Sequence, residues 1–188
     1  RFPLEYGSQR TPSSQWTVTG SGAAVIDSCG QGPFIRAATF GKIVDFDVKD
    51  ANNMGAAMAP AAADTIKTYF TDTGTKPADF DMIITGDLAE VGAELMNELL
   101  MDYGFDIKDR HYDCGLMIFD RTKQEDVKAG GSGCGCSGSV MCSYILNELK
   151  MGTIKRVLFC GTGALMSSTS SQQGQSIPSI AHLVEISV

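Results

Sequence analysis

From Asp81 to Tyr103 the chain passes from a short apolar run, Asp81-Met-Ile-Ile-Thr85, through Gly86-Asp87 into a long helical pattern. This succession constrains the fold more than any other stretch. Apolar residues at 88, 91, 95, 99 and 100 recur at the spacing of an amphipathic helix that stops near Gly104. A buried strand, a polar turn and a helix in that order make an α/β unit. A second α/β stretch lies near the end of the chain, where a helix over about Ser137 to Lys150 precedes an apolar strand, Arg156 to Cys160, and the turn Gly161-Thr162-Gly163.

Other elements fit around these two units. Trp16 to Ile26 and Phe34 to Val48 read as antiparallel strands joined by a hairpin at Asp27-Ser28-Cys29-Gly30-Gln31-Gly32-Pro33. Asn52 or Asn53 can cap a helix reaching about Tyr69, whose alanines allow close packing and whose Pro60 sits near its start or kinks it. Cys114 to Phe119 is a further candidate strand, Arg121 to Ala129 a surface loop, and Ile180 to Val188 a closing strand. Residues 1–15, with prolines at 3 and 12, read as a connecting segment before a domain over 16–188.

Composition narrows the function. With 43% hydrophobic residues over 188 positions the chain can bury a substantial core. The nearly uncharged stretch Met54 to Ala63 falls well short of the roughly 20 apolar residues that span a bilayer. The 22 acidic and 15 basic residues, net −7, are scattered, which argues against a nucleic-acid partner. Any anionic ligand then needs local donors, such as loop amides and helix N-termini. Six cysteines without a secretion signal point to reduced thiols in an intracellular protein. Arg1 opens the chain without a Met, as expected of a piece of something longer.

Three stretches hold the candidate site residues. Gly130 to Ser139, GGSGCGCSGS, precedes a helix and is built of the smallest residues. Its amides can converge on an anion, or its glycines can serve only close packing against another glycine-rich backbone, and the local sequence weighs these two readings equally. Thr85-Gly86-Asp87 and Gly161-Thr162-Gly163 follow buried strands, where α/β sheets gather ligands. Taken singly, the two later glycines read as ordinary turn chemistry and Asp87 as a helix cap. Cys134 and Cys136 invite a metal reading, but their spacing lacks a matching second pair and only His111 and His182 exist to complete a set. Cys114 and Cys160 sit in apolar runs and read as core thiols.

Taken together, QWTVTGSGAAVI, NNMGAAMAPAAADTIK, ITGDLAEVG, GGSGCGCSGS and GTGALMSSTSSQQGQSIPSIAH resemble the stage V sporulation protein AD family, within the thiolase and ketoacyl-synthase superfamily. The resemblance covers almost the whole chain. It implies an α/β fold, the C-terminal thiolase-like half, with a mixed five-stranded β-sheet and packed helices, the N-terminal half being absent. Condensing enzymes of the superfamily pair a cysteine from that other half with a His and an Asn or second His. In this chain those positions fall on Gly86 and within Gly133-Cys134-Gly135-Cys136, so the resemblance implies a site without its proton-transfer side chains.

What the resemblance implies is a non-catalytic component of dipicolinic acid uptake into the developing spore. The ligand would be free dipicolinic acid or its calcium chelate, held by a protein peripheral to the forespore membrane beside other stage V sporulation A proteins. The candidate ligand-binding residues are Met54, Thr85, Gly86, Asp87, Gly133, Cys134, Gly135, Cys136, Gly161, Thr162, Gly163 and Leu165, with Met54 as a wall. Two alternatives stand beside it: a surviving acyl-thioester enzyme that uses Cys134 or Asp87 as an unusual partner, and a structural docking protein whose pocket is vestigial. No cofactor is implied. Since the superfamily pairs through its N-terminal half, this chain is expected to be monomeric or weakly associating, with an apolar face exposed where the other half would lie.

Overall fold

In the computed structural model, residues 10–188 are described. A five-stranded sheet lies at the centre, in the order β2 (Phe34–Thr39), β7 (Ser179–Ser187), β6 (Arg156–Ala164), β3 (Met82–Thr85) and β4 (His111–Asp113). β3 is parallel to both β4 and β6, whereas β7 is antiparallel to β6 and β2, so the sheet is mixed as expected. A parallel two-stranded ladder, β1 (Gln15–Thr17) with β5 (Gly130–Ser132), stands apart from it.

Helices cover both faces, which is why β3 is buried at all four positions and reads as a continuous apolar run. Successive side chains of a strand alternate between faces. Ile83, Leu158 and Cys160 therefore join the core under α1 (Met54–Thr73) and α2 (Ala89–Asp102), while Met82, Ile84 and Val157 join the core under α4 (Cys134–Val140) and α5 (Leu146–Met151). Residues Met141–Ile145 link α4 to α5 as a single wide π-helical turn.

α1 starts where Asn53 predicts: the Asn53 side chain accepts a hydrogen bond from Ala56 N–H at 3.2 Å. It runs one turn past Tyr69 to a left-handed Gly74, and Pro60 lies inside it. α1 crosses α2 through Gly55 and Gly92; a Cβ added at Gly92 would stand 2.7 Å from the Gly55 Cα, so only glycine permits this approach.

Four expectations are corrected. The predicted hairpin does not form: β1 pairs with β5, β2 pairs with β7, and Val44 adds an isolated bridge to Ser179. Local alternation could not reveal partners more than a hundred residues away. The strand predicted at Cys114 to Phe119 begins earlier, as β4, and Cys114–Met117 is instead a short helix, α3. Gly161-Thr162-Gly163 is not a turn but the last part of β6, paired with Ile180 to His182 of β7. The glycine-rich stretch is not loop up to Gly138: it forms β5, and α4 starts at Cys134 rather than Ser137.

Candidate functional site

β3, β4 and β6 are parallel; β3 and β4 end together at Thr85 and Asp113, while β6, with Cys160 beside Thr85, runs on to Ala164. α2 opens just beyond, with Leu88 at its N-cap, a side chain that cannot accept a hydrogen bond from the first helical amides. Asp113 does so from the neighbouring strand. Its Oδ2 accepts from Leu88 N–H at 2.9 Å and from the Thr85 hydroxyl at 2.6 Å, and its Oδ1 accepts from Ala89 N–H at 2.9 Å. These bonds hold Ala89 at φ 54°, a left-handed backbone that costs a non-glycine residue free energy. The Thr85 hydroxyl also meets His111 Nε2 at 2.9 Å.

Asp87, read from the sequence as a helix cap, does other work. Its Oδ2 accepts from Gly133 N–H at 2.7 Å and its Oδ1 from the Thr162 hydroxyl at 2.8 Å, while its own N–H donates to the Thr162 oxygen at 3.0 Å. Gln15 Nε2 donates to the Asp87 carbonyl at 2.7 Å and to the Gly131 carbonyl at 3.0 Å. One carboxylate thus ties the β3–α2 turn to the glycine-rich segment and to the end of β6. Position 86 is small because Thr162 fills the space: an added Cβ would stand 2.8 Å from the Thr162 hydroxyl.

Thr85, Gly86, Asp87, Gly133 and Thr162 are therefore brought together, with Gly161 and Gly163 alongside on β6. Other candidates take no part in these hydrogen bonds. Met54 begins α1 and packs partly buried against the core. Leu165 is exposed and borders a separate cleft with Asp47, Lys49, Ser170 and Pro178. Of the two readings of the glycine-rich segment, Gly135 follows the packing one, since a Cβ there would lie 2.9 Å from the Val18 carbonyl and 3.0 Å from that of Gly20. Cys136 is buried beneath Gly131, and Cys134 is exposed. Gln15, His111 and Asp113 complete the network and escaped the sequence reading. The available signal was an apolar Leu88 opening a helix, which requires a cap from elsewhere.

A family model for Stage V sporulation protein AD (SpoVAD) matches residues 1–187. The chain belongs to this family. The curated stage V sporulation protein AD of Bacillus subtilis (strain 168) is 46% identical over 182 residues, 97% of this chain. The match takes in 53% of the relative, so the chain spans about half its length. Two solved structures are similar at 12% identity: AbyA1, a tetronic acid condensing enzyme, with TM-score 0.43 over 82% of this chain and 47% of that one, and 3-oxoacyl-[acyl-carrier-protein] synthase III of Aquifex aeolicus VF5, with TM-score 0.41 over 78% and 44%. Membership in the stage V sporulation protein AD family ties the chain to sporulation. No helix among the described residues is long and apolar enough to cross a membrane.

The electrostatics of this family member's strand end follow from burial. Burial pushes Asp113 up to about 6, against the hydrogen bonds from Thr85, Ala89 and Leu88 and with help from the Asp87 charge. Burial lowers His111 to about 4, so its imidazole is neutral at physiological pH. It also pushes Cys136 and Cys160 up to about 12, and raises Cys114 further still. These three thiols stay protonated and are poor nucleophiles or metal ligands. Among the described residues no three His, Cys, Asp or Glu side chains gather as a metal set.

Proposed function

We propose that the chain supplies one wall of a non-catalytic binding site for dipicolinic acid, in a protein that supports its accumulation in the forespore. The observation that carries this reading is that Asp87, His111 and Cys136 at the strand end are each hydrogen-bonded within the protein or buried. Asp87 spends both carboxylate oxygens on Gly133 and Thr162, and His111 is neutral against Thr85. Cys136 is buried and protonated. General acid–base or thiol chemistry needs a free group of suitable pKa within reach of substrate. A binding role needs only shape and donors. Family membership in stage V sporulation protein AD supports the same direction.

The ligand's charge bears on its form. Asp87 and Asp113 are neighbours, and a free dianion would meet their repulsion. The calcium chelate of dipicolinate carries no net charge and avoids it. In this reading the remaining half of the family's length covers the exposed apolar surface of this chain, and the assembled protein works peripherally at the forespore membrane with other stage V sporulation A proteins.

Gly161 offers the direct test. A Cβ there meets only ordinary contacts, the nearest being the His182 carbonyl at 3.8 Å, and valine suits a strand. Gly161→Val in the full-length protein is expected to keep its thermal midpoint within a few degrees. It should weaken dipicolinate binding at least tenfold in isothermal titration, with and without calcium. Unchanged affinity removes this strand end from the site.

A further inference from the structure

One hydroxyl at the strand end stands between two titratable groups, and its hydrogen bonds can be assigned. Thr85 Oγ1 lies 2.6 Å from Asp113 Oδ2 and 2.9 Å from His111 Nε2, with only a 3.5 Å approach to the Tyr112 carbonyl besides. A carboxylate accepts and cannot donate, so with Asp113 ionised the single Thr85 proton points at Asp113. The hydroxyl oxygen then accepts from His111, which must carry its proton on Nε2. The chain of bonds has a second consistent state. If Asp113 Oδ2 carries a proton and donates it to Thr85, the hydroxyl turns to donate to His111 Nε2, and the imidazole carries its proton on Nδ1.

We propose that Asp113, Thr85 and His111 form a proton relay in which uptake of one proton by Asp113 reverses the Thr85 hydroxyl and exchanges the His111 tautomer, removing a negative charge from beside Asp87. The step balances without any other reactant. A solvent proton binds Nδ1 of His111, which is only partly buried; the Nε2 proton passes to Thr85 Oγ1; and the Thr85 proton passes to Asp113 Oδ2. Parallel pairing of β3 with β4 sets the three residues in this order, placing Ile83 opposite His111 and Thr85 opposite Asp113.

The surroundings favour proton storage over opening of the turn. The groups facing Asp113 are Asp87 on the turn after β3, His111 and Cys114 on its own segment, Cys136 on α4, and the first amides of α2. No cation is among them, and burial keeps Cys114 and Cys136 uncharged. The folded-state value of Asp113, near 6, lies above the ordinary 3.8, so the folded chain binds the extra proton between about pH 4 and 6. Since the closed turn holds that proton more tightly than an opened one, lower pH does not unlatch α2. His111, titrating near 4, remains neutral overall through most of this window and changes only which nitrogen is protonated.

The relay goes beyond the ligand reading and touches it at one point: an anion bound beside Asp87 would draw a proton onto Asp113. Nitrogen-15 NMR of the two histidines in the unliganded chain tests the relay without any ligand. His111 is expected to shift from the Nε2–H to the Nδ1–H form between pH 8 and pH 5. In Asp113→Asn the amide oxygen can still accept from Leu88 N–H and Thr85 but cannot take up a proton, so His111 should show Nε2–H throughout. Thr85→Val should abolish the response and guards against a poorly folded Asn variant. A wild-type His111 that keeps one tautomer across this range overturns the proposal, as does a Thr85→Val response equal to wild type. Failure of dipicolinate to bind would sink the ligand reading and leave this result standing.

Discussion

Gln15 shows what one buried amide can contribute at the residue scale. It is 8% exposed, and its Nε2 donates to carbonyls of two segments, Asp87 on the β3–α2 turn and Gly131 on β5. Truncation leaves those carbonyls without this donor in a site closed to water. Gln15→Ala is expected to lower the free energy of unfolding by about 2 kcal/mol, measured by urea denaturation, with the midpoint falling and the slope unchanged. A loss under a few tenths would mean that water replaces the amide. The sequence offered no sign of this role, since a polar residue at the end of a proline-bearing segment looks like linker. Asp113 was hidden for a related reason. Its partners, Thr85, Leu88 and Ala89, are all more than twenty residues away, and its importance comes from a cap that α2 lacks in its own sequence.

Among the elements, those defined by their own periodicity were legible and those defined by distant partners were not. β3, α2 and the Asn53 start of α1 emerge from apolar spacing and a capping side chain, all local properties. β1 and β5 are three residues each and exist only because they pair with one another, so neither carries a strand signature. The end of β6 misled because Gly161 and Gly163 are turn residues by propensity, yet nine residues of pairing with β7 hold them extended. Polar bonds add to the apolar packing of α1 on this sheet. Tyr69 donates to Glu185 Oε2, Arg156 Nε donates to Glu185 Oε1 at 2.7 Å, and the guanidinium lies over Phe80. Burial opposes ionisation of Glu185, but Arg156 and Tyr69 prevail and hold its pKa below the usual glutamate value. Glu185→Gln should cost about 2 kcal/mol at pH 7, less than the 3–5 of a fully buried pair because Arg156 keeps about a third of its side chain in water. A group with a depressed folded pKa stabilises above its unfolded value and loses that contribution as pH falls. The gap between wild type and variant in thermal denaturation should therefore narrow below pH 4.5, and a gap constant with pH would assign the effect to packing.

At the scale of the whole molecule the unevenness of burial matters most. The helix-covered cores are closed, yet Val25, Ile26, Phe40, Ile43 and Phe46 between β1 and α1 are 97, 80, 89, 61 and 59% exposed. Single exposed apolar residues are ordinary, but five within 22 positions of one segment are a concentration that water does not favour. The same segment is not loosely attached. Gly20 and Gly22 lie against Ser139 and Gly138 of α4, and Gly41 N–H donates to His182 Nδ1 at 3.1 Å. These residues are thus presented on a fixed backbone, as a docking face requires. Because the chain spans about half of its curated relative, the proposal that the other half covers this face can be checked directly. The chain alone should self-associate with rising concentration in analytical ultracentrifugation, and the separately produced complementary half should convert it to a one-to-one complex. Phe40→Ser with Ile43→Ser should weaken both associations at least tenfold while leaving the thermal midpoint nearly unchanged, since neither side chain is buried in the isolated chain. Pairing of the two halves at undiminished affinity in that double variant would place the contact on another face.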